Sequence, residues 1–129
     1  MKGRNVLIVD DSPVSRKILR SCLPKDPACA VREAGDGEAA LQQFTEQRPD
    51  VTFLDLTMPR MAGLDCLAAL KKMSKEAVVI VVTADVQPRS ISRALELGAA
   101  EVLRKPPTRE AVAEVLAKVA PAAGGSNAV

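Results

Sequence analysis

Five times along the chain a short apolar run gives way to an amphipathic stretch. The runs, at residues 6–9, 30–34, 51–54, 78–82 and 101–103, have strand length, and the first, third and fourth are almost wholly apolar. Each stretch that follows has apolar residues at helical spacing. Strand alternating with helix in this way predicts βα units and a parallel sheet. The run Val78-Val79-Ile80-Val81-Val82 is wholly apolar, as a strand covered on both faces must be. Right-handed crossovers then make the sheet doubly wound. In such a sheet ligands bind outside the carboxyl ends of the strands, where the winding reverses.

Helix signals agree with this frame. Ser12 is placed to cap the first helix with Pro13 at its first position, and Val14, Ile18 and Cys22 share one face. Asp36 caps the second, whose inward residues are Ala40, Leu41 and Phe44. The third spans residues 63–73, with Leu64, Leu67 and Ala68 at helical spacing. Pro88 begins the fourth, Ile91, Ala94 and Leu95 bury it, and Gly98 ends it. Thr108 caps the fifth, with Val112, Val115, Leu116 and Val119 as its stripe. These stripes are expected to be core. From Pro121 the periodicity stops, so residues 1–120 are expected to form one domain and residues 121–129 a flexible tail.

Composition narrows the function. The 129 residues contain no histidine, which excludes a Ser-His-Asp triad and any phosphohistidine of the chain's own. With two Phe and neither Tyr nor Trp, stacking on nucleic-acid bases is not expected. The net charge of +2 is spread along the chain, so neither nucleic acid nor an anionic membrane is an expected partner. No secretory signal or membrane-length apolar run is visible. Cys22, Cys29 and Cys66 are odd in number and lack metal-like spacing, and are read as reduced thiols of a cytoplasmic protein.

The carboxyl edge carries the chemistry. The first strand ends at Asp10 and Asp11, the third at Asp55, the fourth at Thr83, and the fifth delivers Lys105. Adjacent like charges at the end of a buried strand need a compensating cation. Three carboxylates with oxygen donors suit Mg²⁺, and Lys105 supplies a second positive charge. A carboxylate beside Mg²⁺, with an ammonium and a hydroxyl aimed at the same spot, is a constellation for phosphoryl transfer. In it Asp55 is the nucleophile, and Lys105 and Thr83 stabilise the transferring oxygens.

The ordered motifs "VDDS" at 9–12, "LDLTMPRMAG" at 54–63, "VTAD" at 82–85 and "LRKP" at 103–106 resemble the receiver domains of two-component response regulators, and in particular the stand-alone chemotaxis type. The likeness runs from Arg4 to about Ala120. It implies a flavodoxin-like (βα)5 fold with strand order 2-1-3-4-5. It also implies that Asp55 takes phosphate from a partner histidine kinase in a Mg²⁺-dependent reaction. Asp11, Asp55 and the backbone carbonyl of Thr57 would hold the metal, with Asp10 acting through a bound water. Lys105-Pro106 would be a cis peptide, Met58, Pro59 and Gly63 would shape the loop after Asp55, and the small Ala84 would leave the phosphoryl group room. Phosphorylation would alter the α4–β5–α5 surface and so control a downstream target or phosphotransfer protein. A phosphatase is a further implied partner. The chain would catalyse only its own phosphorylation and dephosphorylation.

Some positions depart from the family pattern. Val102 stands where many receivers carry an aromatic residue that follows the inward swing of the threonine. Thr57 and Asp85, two residues beyond Asp55 and Thr83, occupy positions that tune access of the hydrolytic water, and Asp85 could either repel a donor or orient water. Arg89, Arg93, Arg104 and Arg109 are solvated charges or part of a partner-binding face. Two alternatives stay open. A small haloacid-dehalogenase-type phosphatase shares the Asp, Thr, Lys and Mg²⁺ set, but needs a second Asp where this chain has Thr57. An unphosphorylated receiver-like scaffold would be expected to lack one of the pocket residues.

Overall fold

Parallel strands in the order β2-β1-β3-β4-β5 form the sheet, as the doubly wound reading requires. The computed structural model describes residues 5–24, 30–56 and 63–123. Strands β1 (Asn5–Val9), β2 (Ala30–Ala34), β3 (Val51–Asp55), β4 (Val79–Thr83) and β5 (Glu101–Arg104) alternate with α1 (Pro13–Cys22), α2 (Gly37–Glu46), α3 (Gly63–Met73), α4 (Pro88–Glu96) and α5 (Arg109–Ala123).

Both faces of the sheet are covered. Leu7, Val9, Leu54, Val79 and Val81 meet Phe44, Leu67, Leu70 and Ala94 from α2, α3 and α4. Val6, Ile8, Phe53, Ile80, Val82 and Leu103 meet Leu19 of α1 and Val112, Val115, Leu116 and Val119 of α5. Successive residues of one strand thus serve opposite layers. Burying aliphatic side chains on both faces, at roughly 1.5–3 kcal/mol each, is the main stabilising term.

Capping follows the sequence signals. Ser12 Oγ accepts the Ser15 amide at 3.2 Å, Asp36 Oδ1 that of Ala39 at 2.8 Å, and Thr108 Oγ1 that of Ala111 at 3.1 Å. Gly98, with φ of 110°, takes the left-handed conformation that ends α4.

Four expectations need correction. Val14 and Ile18 are 66% and 40% exposed, and Leu19 is the buried residue of α1. Leu19 and, four residues on, Leu23 turn to the sheet, so Ile18, one residue back from Leu19, is turned away by about 100°. In α4 only Ala94 is buried and Leu95 is 48% exposed, because Ala94 faces the sheet and the next residue is turned away by about 100°. In α3 the buried set is Gly63, Cys66, Leu67 and Leu70, with Ala68 exposed. Helix α5 also continues through Pro121 to Ala123, beyond the residue where periodicity stops. The end of an apolar stripe removes a packing signal, while the alanines that follow still favour helix.

Candidate functional site

The winding reverses between β1 and β3, and the register brings their carboxyl ends level. Val9 pairs with Leu54, and on the other side Asp55 pairs with Val82 and Thr83 with Arg104. The Asp10 amide extends the β1–β2 ladder by donating to Ala34 O at 3.1 Å, and the Lys105 amide donates to Thr83 O at 2.9 Å. The ends of four neighbouring strands therefore present Asp10, Asp55, Thr83 and Lys105 along one edge.

Asp10, Asp11 and Asp55 each offer a carboxylate oxygen, and these atoms lie within 4.8 Å of one another. Asp10 and Asp55 are 6% and 2% exposed, whereas Asp11 faces solvent. Lys105 Nζ donates to Asp10 Oδ2 at 2.8 Å and stands 3.6 Å from Asp55 Oδ2. Asp10 Oδ1 accepts the Ser12 amide at 2.9 Å. Burial disfavours the Lys105 charge, but the hydrogen bond to Asp10 and the fields of Asp55 and Asp10 outweigh it and hold its pKa above the ordinary value. One ammonium does not balance three carboxylates, and hard oxygen donors with negative charge left over fit a divalent cation such as Mg²⁺.

Thr83 is buried, and its hydroxyl oxygen accepts the Asp85 amide at 3.0 Å. The Asp85 carboxylate turns away from the acids to the start of α4. There Oδ1 accepts the Gln87 amide at 3.1 Å and Oδ2 the Ser90 hydroxyl at 2.6 Å. Those two bonds hold its carboxyl below the ordinary range. Gln87, the N-cap of α4, makes no side-chain cap bond of its own, so Asp85 serves that end of the helix. Ala84 is exposed, Val102 is partly buried against the α2–α4 layer, and Lys105-Pro106 is cis. Thr57, Met58 and Pro59 lie outside the described residues, as does Cys29. Cys22 and Cys66 are free thiols, and burial, with the Asp36 charge, pushes Cys66 up to about 11.

Two features escaped the sequence. A cavity of about 300 Å³ opens at the acid edge, where Asp10, Asp55 and Lys105 share its wall with Ser15, Phe53 and Ala84. Arg16 is the other: Nε pairs with Glu33 Oε1 at 2.7 Å, and Nη1 donates to the Asp10 carbonyl at 2.6 Å. Nothing local in the sequence joins residue 16 to residue 33.

Comparison with known proteins gives this edge its context. Residues 6–117 match the family model of the response regulator receiver domain, and the chain belongs to that family. It is 34% identical over 117 residues to the chemotaxis protein CheY of Thermotoga maritima, covering 91% of this chain and 98% of that one. It is 41% identical over 122 residues to a protein-glutamate methylesterase/protein-glutamine glutaminase of Koribacter versatilis, covering 88% of this chain but only 34% of the relative. Among solved structures, Vibrio cholerae CheY4 aligns with a TM-score of 0.83 at 30% identity, over 91% of this chain and 98% of that one. The CheX-CheY-BeF3-Mg complex of Borrelia burgdorferi aligns at 0.84 and 31%, over 91% of this chain and 90% of that one. The chain is therefore a receiver domain of the CheY type, with the flavodoxin-like fold of those structures. No helix among the described residues is long and apolar enough to cross a membrane.

Proposed function

We propose that the chain is a cytoplasmic response regulator, phosphorylated on Asp55 by a partner histidine kinase and acting by binding rather than by turnover of a substrate. The observation that carries this reading is the setting of Asp55: 2% exposed, at the end of β3, with Asp10 and Asp11 oxygens within 4.8 Å and the Lys105 ammonium at 3.6 Å. Asp11, Asp55 and the Thr57 carbonyl would hold Mg²⁺, with Asp10 acting through a bound water, and the metal when bound supplies positive charge beside the transferring oxygens. An Asp55 oxygen attacks phosphorus, the bond from phosphorus to the donor imidazole nitrogen breaks, and its electron pair stays on that nitrogen. Lys105 and the Thr83 hydroxyl bind the phosphoryl oxygens, and Ala84 leaves them room.

Readout passes to the α4–β5–α5 surface. With Val102 in place of a ring, the route runs through the loop: Thr83 turning to the phosphoryl group releases the Asp85 amide, and Asp85 holds the first turn of α4. Phosphorylation then shifts a pre-existing equilibrium between two loop states. Val86, Leu95, Arg89 and Arg93 are exposed there and offer a mixed apolar and basic face to a target or phosphotransfer protein. The CheX-bound CheY relative supports a protein partner of this kind.

Intact mass after incubation with acetyl phosphate, with and without Mg²⁺ and alongside Asp55→Asn, tests the reading. A Mg²⁺-dependent gain of one phosphoryl group, absent in the variant, is expected. The same gain in Asp55→Asn would overturn the assignment. No gain with either acetyl phosphate or a phosphorylated kinase would favour the scaffold reading.

A further inference from the structure

We propose that Arg16 is a positioning residue that orients the Asp10–Asp11 peptide for metal binding, with Glu33 as its anchor. The inference rests on reading Asp10, Asp11 and Asp55 as the metal site.

The turn after β1 must deliver two carboxylates in sequence, although successive side chains in extended backbone point to opposite sides. Asp10 is fixed at both carboxylate oxygens, by the Ser12 amide and the Lys105 ammonium. Asp11 is exposed, so its placement depends on the peptide group that joins it to Asp10. The carbonyl of that peptide accepts Arg16 Nη1 at 2.6 Å. A rotation of the Asp10–Asp11 peptide would break this bond and carry the Asp11 side chain with it.

Arg16 is itself held. It sits one helical turn beyond the Ser12 cap, its side chain is 19% exposed, and Nε is locked on Glu33 Oε1 at 2.7 Å. Arg20, one turn further, takes the other oxygen of Glu33. Glu33 lies on β2, next to β1, so the anchor is part of the sheet. The planar guanidinium fork joins two acceptors in fixed geometry, which an ammonium cannot do. Partners that orient a ligand without touching the metal commonly change affinity by about 10–100-fold.

Charge and position predict opposite signs. Arg16 is a cation near a cation site, so by Coulomb's law alone its removal should tighten Mg²⁺ binding. If it positions the turn, removal weakens binding. The chain has neither Trp nor Tyr, so binding is best read by calorimetry and by amide shifts in NMR spectra. For Arg16→Ala we expect Mg²⁺ affinity to fall about tenfold. Arg20→Ala removes a comparable ion pair but nothing at Asp10, and should leave the affinity within about twofold. Arg16→Lys keeps the charge and loses the fork, and is expected to lie between Arg16→Ala and the unaltered chain.

In metal-free protein, exchange of the Ser12 amide should quicken in Arg16→Ala and stay unchanged in Arg20→Ala. Tighter Mg²⁺ binding by Arg16→Ala, an effect equal to that of Arg20→Ala, or an unaltered Ser12 exchange rate would each overturn the proposal. If Arg16→Ala does not fold, Arg16→Lys decides, and full Mg²⁺ affinity in that variant counts against the role. Failure of the unaltered chain to bind Mg²⁺ would refute the metal-site reading instead, while the metal-free exchange rates still judge Arg16.

Discussion

The Thr83 hydroxyl oxygen accepts the backbone N–H of Asp85 at 3.0 Å, and the Asp85 carboxylate in turn holds the Ser90 hydroxyl at 2.6 Å. These two bonds connect the acid edge to α4 without an aromatic residue. Replacing Asp85 by Ala removes the side-chain bonds to the Gln87 amide and the Ser90 hydroxyl and so loosens the first turn of α4. Amide exchange over residues 87–91 should then be several-fold faster in the unphosphorylated chain, with phosphorylation of Asp55 retained. Unchanged exchange would show that α4 does not depend on Asp85.

Gly63 should accept no side chain. A Cβ there would lie 2.2 Å from Leu56 Cα and 2.5 Å from the Asp55 carbonyl oxygen, both backbone atoms that cannot turn aside. Gly63→Ala is expected to cost about 1–3 kcal/mol by overpacking, read as a lower urea midpoint at unchanged m-value. Because the clash falls on the residue after Asp55, the phosphorylation rate should drop as well.

Acid sensitivity has a nameable source. The hydrogen bond from Arg16, against opposing burial and helped by Arg20, holds Glu33 below its ordinary value of 4.5. A depressed carboxyl stabilises the fold above the unfolded value and loses that contribution as pH falls through the folded one. Stability should therefore decline below pH 4.5, and less steeply in Glu33→Gln. Lys105 works in the other direction. Its raised pKa gives stability that is complete below 10.5 and is lost as pH rises through the folded value. Urea unfolding across both ranges checks the two signs.

The cavity at the acid edge offers a stabilising change. Ser15, on α1, shares its wall with Phe53 and Val82. Ser15→Met fills part of the space from α1 and should add about 0.5–2 kcal/mol, visible as a higher Tm. The Ser15 amide bond to Ser12 Oγ uses only backbone at residue 15, so the helix cap survives. A lower Tm would mean that the cavity cannot take a larger side chain.

What the sequence disclosed and what it hid divide along a physical line. Asp10, Asp55, Thr83 and Lys105 were readable as neighbours because parallel strands align their carboxyl ends, so four local patterns fix one edge. The cap residues Ser12, Asp36 and Thr108 were readable because capping acts over three residues. Periodicity tells which residues share a helix face, not where that face runs off the sheet. Hence Val14, Ile18 and Leu95 were expected inside and lie at the surface. Arg16 with Glu33, and Gly63 against Leu56, depend on where separate elements come to rest, and no local pattern encodes that.

Lys105 gives the acid edge a resident counter-ion. Its ammonium rests on Asp10 and faces Asp55, so it offsets part of the charge these carboxylates share. A lysine that must also grip the incoming group has to let go of Asp10 to do so, which makes readiness and response successive tenancies of a single positive charge.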